Sequence, residues 1–218
     1  MDLEFFIKKQ SEISSRIIIA DLLEEVKVVA GADCSFDEKY VYACIVVMKI
    51  DDFSVIDFAL AKELVTFPYI PTFLSFREEK AIIKSFYKLK VKPDILFCDG
   101  QGIAHPRKAG LACAVGVELD IPTVGVAKNK LCGTFKKPTN TRGSFSYLYY
   151  RGEKIGIVLR SRSGVKPIFV SPGHKISLER TGEIVVKTIT RYRIPEPLRI
   201  AHIFANYYKQ GKISRMIL

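Results

Sequence analysis

The sequence predicts an α/β fold: a mixed sheet with five central strands flanked by helices, and extra strands and helices in the C-terminal third. Three observations predict it. Residues 26–63 read as three runs rich in β-branched and aromatic residues, joined by the short polar links Asp37-Glu38-Lys39 and Asp51-Asp52, which suits antiparallel hairpins. Residues 76–126 alternate helical and extended patterns, which suits parallel strands. The apolar run Ile95-Leu96-Phe97-Cys98 stops at Asp99-Gly100-Gln101-Gly102, the kind of strand-to-turn junction where open α/β sheets place their chemistry.

The elements follow in order. Leu3, Phe6, Ile7, Ile13, Ile17 and Ile18 recur near helical spacing and predict a helix over residues 2–25, docked on the sheet. Strands are expected over Val26–Phe36, Tyr40–Ile50 and Ser54–Glu63. Pro68 and Pro71 forbid a helix around them and predict a stiff, extended loop presenting Tyr69. A helix over Phe76–Leu89 carries Glu78 and Glu79 in its first turn. Strand Ile95–Cys98 leads to a helix over Pro106–Leu119, with the proline in its first turn, and then to strand Thr123–Val126. Lys136–Gly143 reads as an exposed loop. Ser146–Tyr150, Lys154–Arg160 and Ile168–Val170 read as further strands, and Ser171–His174 as a turn. Helices over Leu178–Ile189 and from Pro195-Glu196-Pro197 onward close the chain. No repeat or linker interrupts residues 1–218, so a single domain is expected.

Lysine and arginine total 34 against 23 acidic residues, a net charge of +11. The excess favours a polyanionic partner, nucleic acid before an acidic membrane face. The five cysteines are odd in number and include no Cys-x-x-Cys, which argues against zinc and against a disulfide framework. Reduced thiols in a cytoplasmic protein fit better. Asp2 and Glu4 precede any apolar run, unlike a signal peptide, and no apolar segment approaches the roughly 18 residues that span a bilayer. A Gly-x-Gly after a strand suggests a dinucleotide fingerprint, but His105 stands where its third glycine belongs, and no Walker-type motif is present.

Three antiparallel strands, a helix, then strand–helix–strand is the element order of an RNase H-like fold, whose chemistry uses carboxylates from strand one, the first helix and strand four. Asp33, Glu78 and Asp99 hold those places. Each also has a plain explanation. Asp33 can end a strand, Glu78 can answer the helix dipole, and Asp99 can cap an Asp-Gly turn. Glu79 is then the neighbour expected to face solvent. By default His202 is a core histidine, His174 a turn residue, and Tyr69 packs beneath its loop. Taken together, clustered carboxylates repel unless a cation neutralises them. Hard oxygen ligands suit Mg²⁺ or Mn²⁺, and such an ion can activate water for in-line displacement at a phosphodiester.

The motifs resemble the endonuclease V family. The pieces are Gly31-Ala32-Asp33-Cys34-Ser35-Phe36; Pro68-Tyr69-Ile70-Pro71 followed by Phe76-Arg77-Glu78; Asp99-Gly100-Gln101-Gly102 with Ala104-His105-Pro106-Arg107; Ile121 through Lys128; Val170-Ser171-Pro172-Gly173-His174; and Arg193 through His202, all in unchanged order. The resemblance implies an RNase H-like, Mg²⁺-dependent nuclease, with Mn²⁺ as a substitute, that cleaves the second phosphodiester 3′ to deoxyinosine and leaves 3′-hydroxyl and 5′-phosphate ends. It implies that Asp33, Glu78 and Asp99 bind the metal, that His202 acts near it, and that Lys128 positions the scissile phosphate. Pro68, Tyr69, Ile70 and Pro71 would form a wedge, and Leu74, Gly100, Gly102, His105 and Leu111 the lesion pocket. The implied partner is single- or double-stranded DNA containing deoxyinosine, bound by a monomer. Inosine-containing RNA, cut by the same fold, and a binder without chemistry are the alternatives. Gln101, Thr72 and Ala114 depart from the family pattern at positions that bear on selectivity for base and sugar, and none of them replaces a metal carboxylate.

Overall fold

The structure is a computed structural model describing residues 3–213. Its eight strands form one mixed sheet in the order β3-β2-β1-β4-β5-β8-β7-β6. β1 (Val28–Phe36), β2 (Tyr40–Lys49) and β3 (Val55–Leu64) are antiparallel neighbours. β4 (Ile95–Asp99) and β5 (Thr123–Ala127) extend the sheet from β1 in parallel. The additional strands β6 (Phe145–Tyr150), β7 (Glu153–Leu159) and β8 (Ile168–His174) join the open side of β5, so the expected five central strands are the first part of a longer sheet.

Alternation along the strands builds two cores. Cys44, Val46 and Met48 of β2 and Ile95 and Phe97 of β4 pack toward α4 (Leu178–Lys187) and α5 (Glu196–Lys209). Ala43, Ile45 and Val47 of β2, with Leu96 and Cys98 of β4, face α2 (Ser75–Tyr87) and α3 (Leu111–Leu119). A strand turns successive side chains to opposite faces, and helices on both faces explain why these strands read as almost unbroken apolar runs. Gly31 lets α5 lie directly on β1, since a Cβ there would meet the Pro197 carbonyl at 2.3 Å. All five cysteines are free thiols, and among the described residues no helix is long and apolar enough to cross a membrane.

Three expectations are corrected. The N-terminal helix α1 spans Leu3–Arg16, and residue 2, where it was expected to begin, lies outside the described residues. Beyond Arg16 the backbone bonds the end of β8 instead of itself: Ile18 N–H donates to His174 Nδ1 (3.2 Å) and Lys175 N–H to the Ile18 carbonyl (2.7 Å). The helix expected from Pro106 begins only at Leu111. Before it, residues 100–110 form an irregular loop with a turn at His105–Lys108, pinned to β8 at its start by Gly102 N–H on Ser171 Oγ (2.9 Å) and Ile103 N–H on the Pro172 carbonyl (2.8 Å). Gly102 is needed for that approach, because a Cβ would stand 2.1 Å from the Pro172 oxygen. Last, Ser171–His174 is not a turn but the end of β8. The register shifts between Thr123 and Val124 of its partner, and an irregularity of this kind is where a sheet tolerates proline. His174 is accordingly buried in that strand, 3% exposed.

Candidate active site

β1 and β4 run parallel with Ala32 opposite Cys98, so Asp33 and Asp99 are the next residues on adjacent strands. Paired strands lie about 4.8 Å apart, which makes these two carboxylates neighbours at the strand ends. Glu78 enters from the first turn of α2 and is 7% exposed. Burial raises its carboxyl well above the usual range, and the charges of Asp33 and Asp99 raise it further. Burial and Asp33 likewise raise Asp99. Three acids from three elements therefore meet here, and the charge of Asp33 opposes ionisation of the other two.

Two bases answer them. Lys128, one residue past β5, forms an ion pair with Asp99 Oδ2. Burial alone would lower the Lys128 ammonium, but the Asp99 carboxylate outweighs it and the net shift is upward. His202 on α5 has Nδ1 2.6 Å from Asp33 Oδ2, and that bond raises its pKa. The His202 side chain is 58% exposed, so it is a surface residue over the acids and not a core histidine. Asn206 lies one helical turn on. Its amide Nδ2 is 3.1 Å from His202 Nε2, and its oxygen accepts from the Ser35 hydroxyl (2.9 Å). With Nε2 accepting from that amide, the imidazole proton sits on Nδ1, facing Asp33.

The donor chemistry suits a hard divalent ion: Asp33, Glu78 and Asp99 bring carboxylate oxygens to neighbouring positions, and their charges oppose one another until positive charge arrives. Among the described residues no three His, Cys, Asp or Glu side chains close around a common point as they stand, and the Lys128 ammonium on Asp99 supplies counter-charge. Glu79 does not face solvent as expected. It is half-buried, and burial together with Glu118 pushes it up to about 7.

A cavity of about 330 Å³ opens beside Asp99 and Lys128. Tyr69, Ile70, Pro71, Leu74, Gly100, His105 and Leu111 line it. Of the expected pocket and wedge residues, Pro68 is not in its wall, and Gly102 is turned to β8. Tyr69 is 69% exposed at the mouth, so it does not pack beneath its loop. His105 is buried and Nε2 donates to the Thr72 carbonyl (2.8 Å), while Nδ1 accepts from Arg107 N–H (3.2 Å). Burial lowers it to about 4, so it is a neutral donor. Thr72 has φ +71°. A β-branched residue rarely adopts that left-handed conformation, which costs on the order of 1–3 kcal/mol.

Sequence reasoning did not find Arg193 as a support. Its guanidinium donates to the carbonyls of Lys128 (2.7 Å), Lys166 (2.9 Å) and Pro167 (2.9 Å), holding the backbone that carries Lys128. It also missed Asn206 and Gln10. The only signal for Gln10 is a polar residue on the Phe6–Ile13 apolar stripe of α1, where it is fully buried.

A sequence model of the family described as Endonuclease V matches residues 11–203. The Endonuclease V of Dictyoglomus turgidum is 45% identical over 208 residues, covering 95% of this chain and 91% of that one. The crystal structure of the Bacillus subtilis Endonuclease V superposes with a TM-score of 0.90 at 30% identity, covering 97% and 95% of the two chains. That of Ciona intestinalis Endonuclease V, in complex with a 24mer DNA containing an inosine followed by a ribo-adenosine, superposes with a TM-score of 0.85 at 27% identity, covering 96% and 98%.

Proposed function

The chain belongs to the Endonuclease V family of nucleases, and on that premise we propose that it nicks DNA at the second phosphodiester 3′ to a deoxyinosine, with Mg²⁺ or, in its place, Mn²⁺, leaving 3′-hydroxyl and 5′-phosphate ends. The observation that carries the reading is the meeting of Asp33, Glu78 and Asp99 beside a base-sized cavity with Tyr69 at its mouth. The inosine-containing DNA held by the Ciona relative supports the choice of substrate, and a net charge of +11 suits a phosphate backbone.

Asp33, Glu78 and Asp99 would hold the cation. When bound, it supplies a more acidic water and charge neutralisation at the leaving oxygen. Lys128 brings a point charge to the phosphate once Asp99 turns to other partners. His202, its proton held on Nδ1 by Asp33 and Asn206, orients the Asp33 carboxylate and stands exposed where a backbone oxygen can reach it. The Pro68–Pro71 loop presents Tyr69 to fill the gap left by the departing base, and its two prolines reduce the entropy lost on insertion. Inosine differs from adenine by a 6-oxo group and N1–H, which polar groups in the cavity wall can distinguish.

The test is an end-labelled duplex with one deoxyinosine, incubated with and without Mg²⁺, beside a matched inosine-containing RNA. A metal-dependent nick at the second bond 3′ to the lesion is expected. Cleavage of RNA alone moves the reading to RNA metabolism. Binding of both without cleavage, in Mn²⁺ as well, removes the chemistry.

A further inference from the structure

We infer that Gln10 of α1 is a positioning residue for the Tyr69 loop, acting through a buried clasp on Thr72; the inference rests on the proposed lesion-recognising role of that loop. Thr72 directly follows Pro71 and forms part of the cavity wall. Its left-handed backbone, φ +71°, is not one a threonine takes unaided. Gln10 Nε2 donates to the Thr72 carbonyl (2.6 Å), and His105 Nε2 donates to the same oxygen (2.8 Å). Arg107 Nη2 donates to the Thr72 hydroxyl (2.7 Å), while Arg107 Nε donates to the Gln10 side-chain oxygen. The clasp is thus a closed circuit in which Gln10 both holds Thr72 and orients the guanidinium that holds it a second time. The Arg107 guanidinium also lies over the Phe73 ring, 4.8 Å from its centroid.

α1 is placed for this task. Phe6, one turn before Gln10, packs edge-on against Phe67 and Phe76, each 4.8 Å between centroids, at the two roots of the loop. Gln10 is the one buried residue of α1, and burying an amide is unfavourable unless its hydrogen bonds are met. Both its ends are met, one by Thr72 and one by Arg107. The family match begins at residue 11 and stops short of it. In many proteins a left-handed position is occupied by glycine without strain. Here a threonine is held in it by three side chains, and the loop gains a fixed shape.

The experiment compares wild type with Gln10→Met, which keeps the packing volume and removes the hydrogen bonds. Amide hydrogen exchange is read over residues 66–74 and over β4. Faster exchange in the loop with β4 unchanged is expected. On deoxyinosine duplex, Gln10→Met should raise KM about tenfold, the scale of a lost buried hydrogen bond, with kcat little changed. Adding Thr72→Gly, which removes the strain, should recover part of the KM. Unchanged loop exchange overturns the inference, as does exchange that rises equally everywhere, which marks Gln10 as simple packing. A loss confined to kcat overturns it too. Wild-type protein inert on deoxyinosine DNA defeats the proposed function instead, and the exchange comparison still decides the clasp.

Discussion

His202 Nδ1 stands 2.6 Å from Asp33 Oδ2, tying α5 to β1 across 169 positions of sequence. The contact depends on Gly31 two residues earlier, which lets α5 settle on the strand. It brings a base to the edge where Asp33, Asp99 and Glu78 repel one another, and Lys128 answers from the far side through Asp99.

Replacing Asp99 tests the acidic cluster. Asp99→Ala should cut nicking of deoxyinosine DNA by more than the roughly 10–100-fold that outer-shell partners of metal sites carry. The variant should stay folded, because it relieves repulsion at Glu78. Mg²⁺ should raise the melting temperature of wild type, since it binds only the folded state, and should not raise that of Asp99→Ala. Wild-type cleavage rates in the variant would remove Asp99 from the site.

Tyr69 is tested by comparing substrates. Base–aromatic stacking is worth about 1–3 kcal/mol per base, so Tyr69→Ala should weaken binding to a deoxyinosine duplex about tenfold or more. Binding to undamaged duplex should change far less. Equal losses on both would argue for a general contact and against insertion beside the lesion.

His105 makes a pH prediction. Its folded value is about 4 against an ordinary 6.5. The folded state therefore binds fewer protons than the unfolded chain between those values, so the stability is whole above pH 6.5 and declines as pH falls toward 4. A shift of this size corresponds to about 3 kcal/mol. His105→Gln keeps a donor for Thr72 without titrating, so its melting temperature should fall less than that of wild type from about pH 7 to about pH 4. His174, also lowered by burial, shares the sign, but it is present in both proteins and cancels from the comparison. Parallel curves would show that His105 is protonated without cost.

Arg193 should matter through Lys128. Arg193→Ala frees the Lys128 backbone carbonyl and should reduce cleavage about tenfold, within the range seen for supporting partners of a reactive group. Arg193→Lys should not restore it, because a single ammonium cannot reach three carbonyls as the planar fork does. Full activity in Arg193→Lys would reduce the role to charge.

Much of this was legible along the chain, and for local reasons. The strand runs and their polar links sit in short windows, where β-branched content and turn residues act on near neighbours. The family was legible too, because its motifs lie in order on strand ends and turns. The start of α3 was not. Pro106 is a fair first-turn residue by propensity, but the backbone before Leu111 finds its partners on Ser171 and Pro172 of β8. The same strand continues through Pro172, which reads as a terminator until Thr123 and Val124 shift register beside it.

By itself, then, the sequence determined the order of elements along the first half of the sheet, the family, and which acids and bases were available for chemistry. The tertiary structure alone decided which of them touch. Lys128 rests on Asp99 across 29 positions, and Gln10 reaches Thr72 across 62. Pairings of that range leave no periodic trace, because each residue is chosen by the one group it meets after packing and not by its neighbours in the chain. Thr72 shows the point most directly. Its left-handed backbone runs against its own propensity and is sustained by Gln10, His105 and Arg107, two of them from the strand-four loop and one from α1.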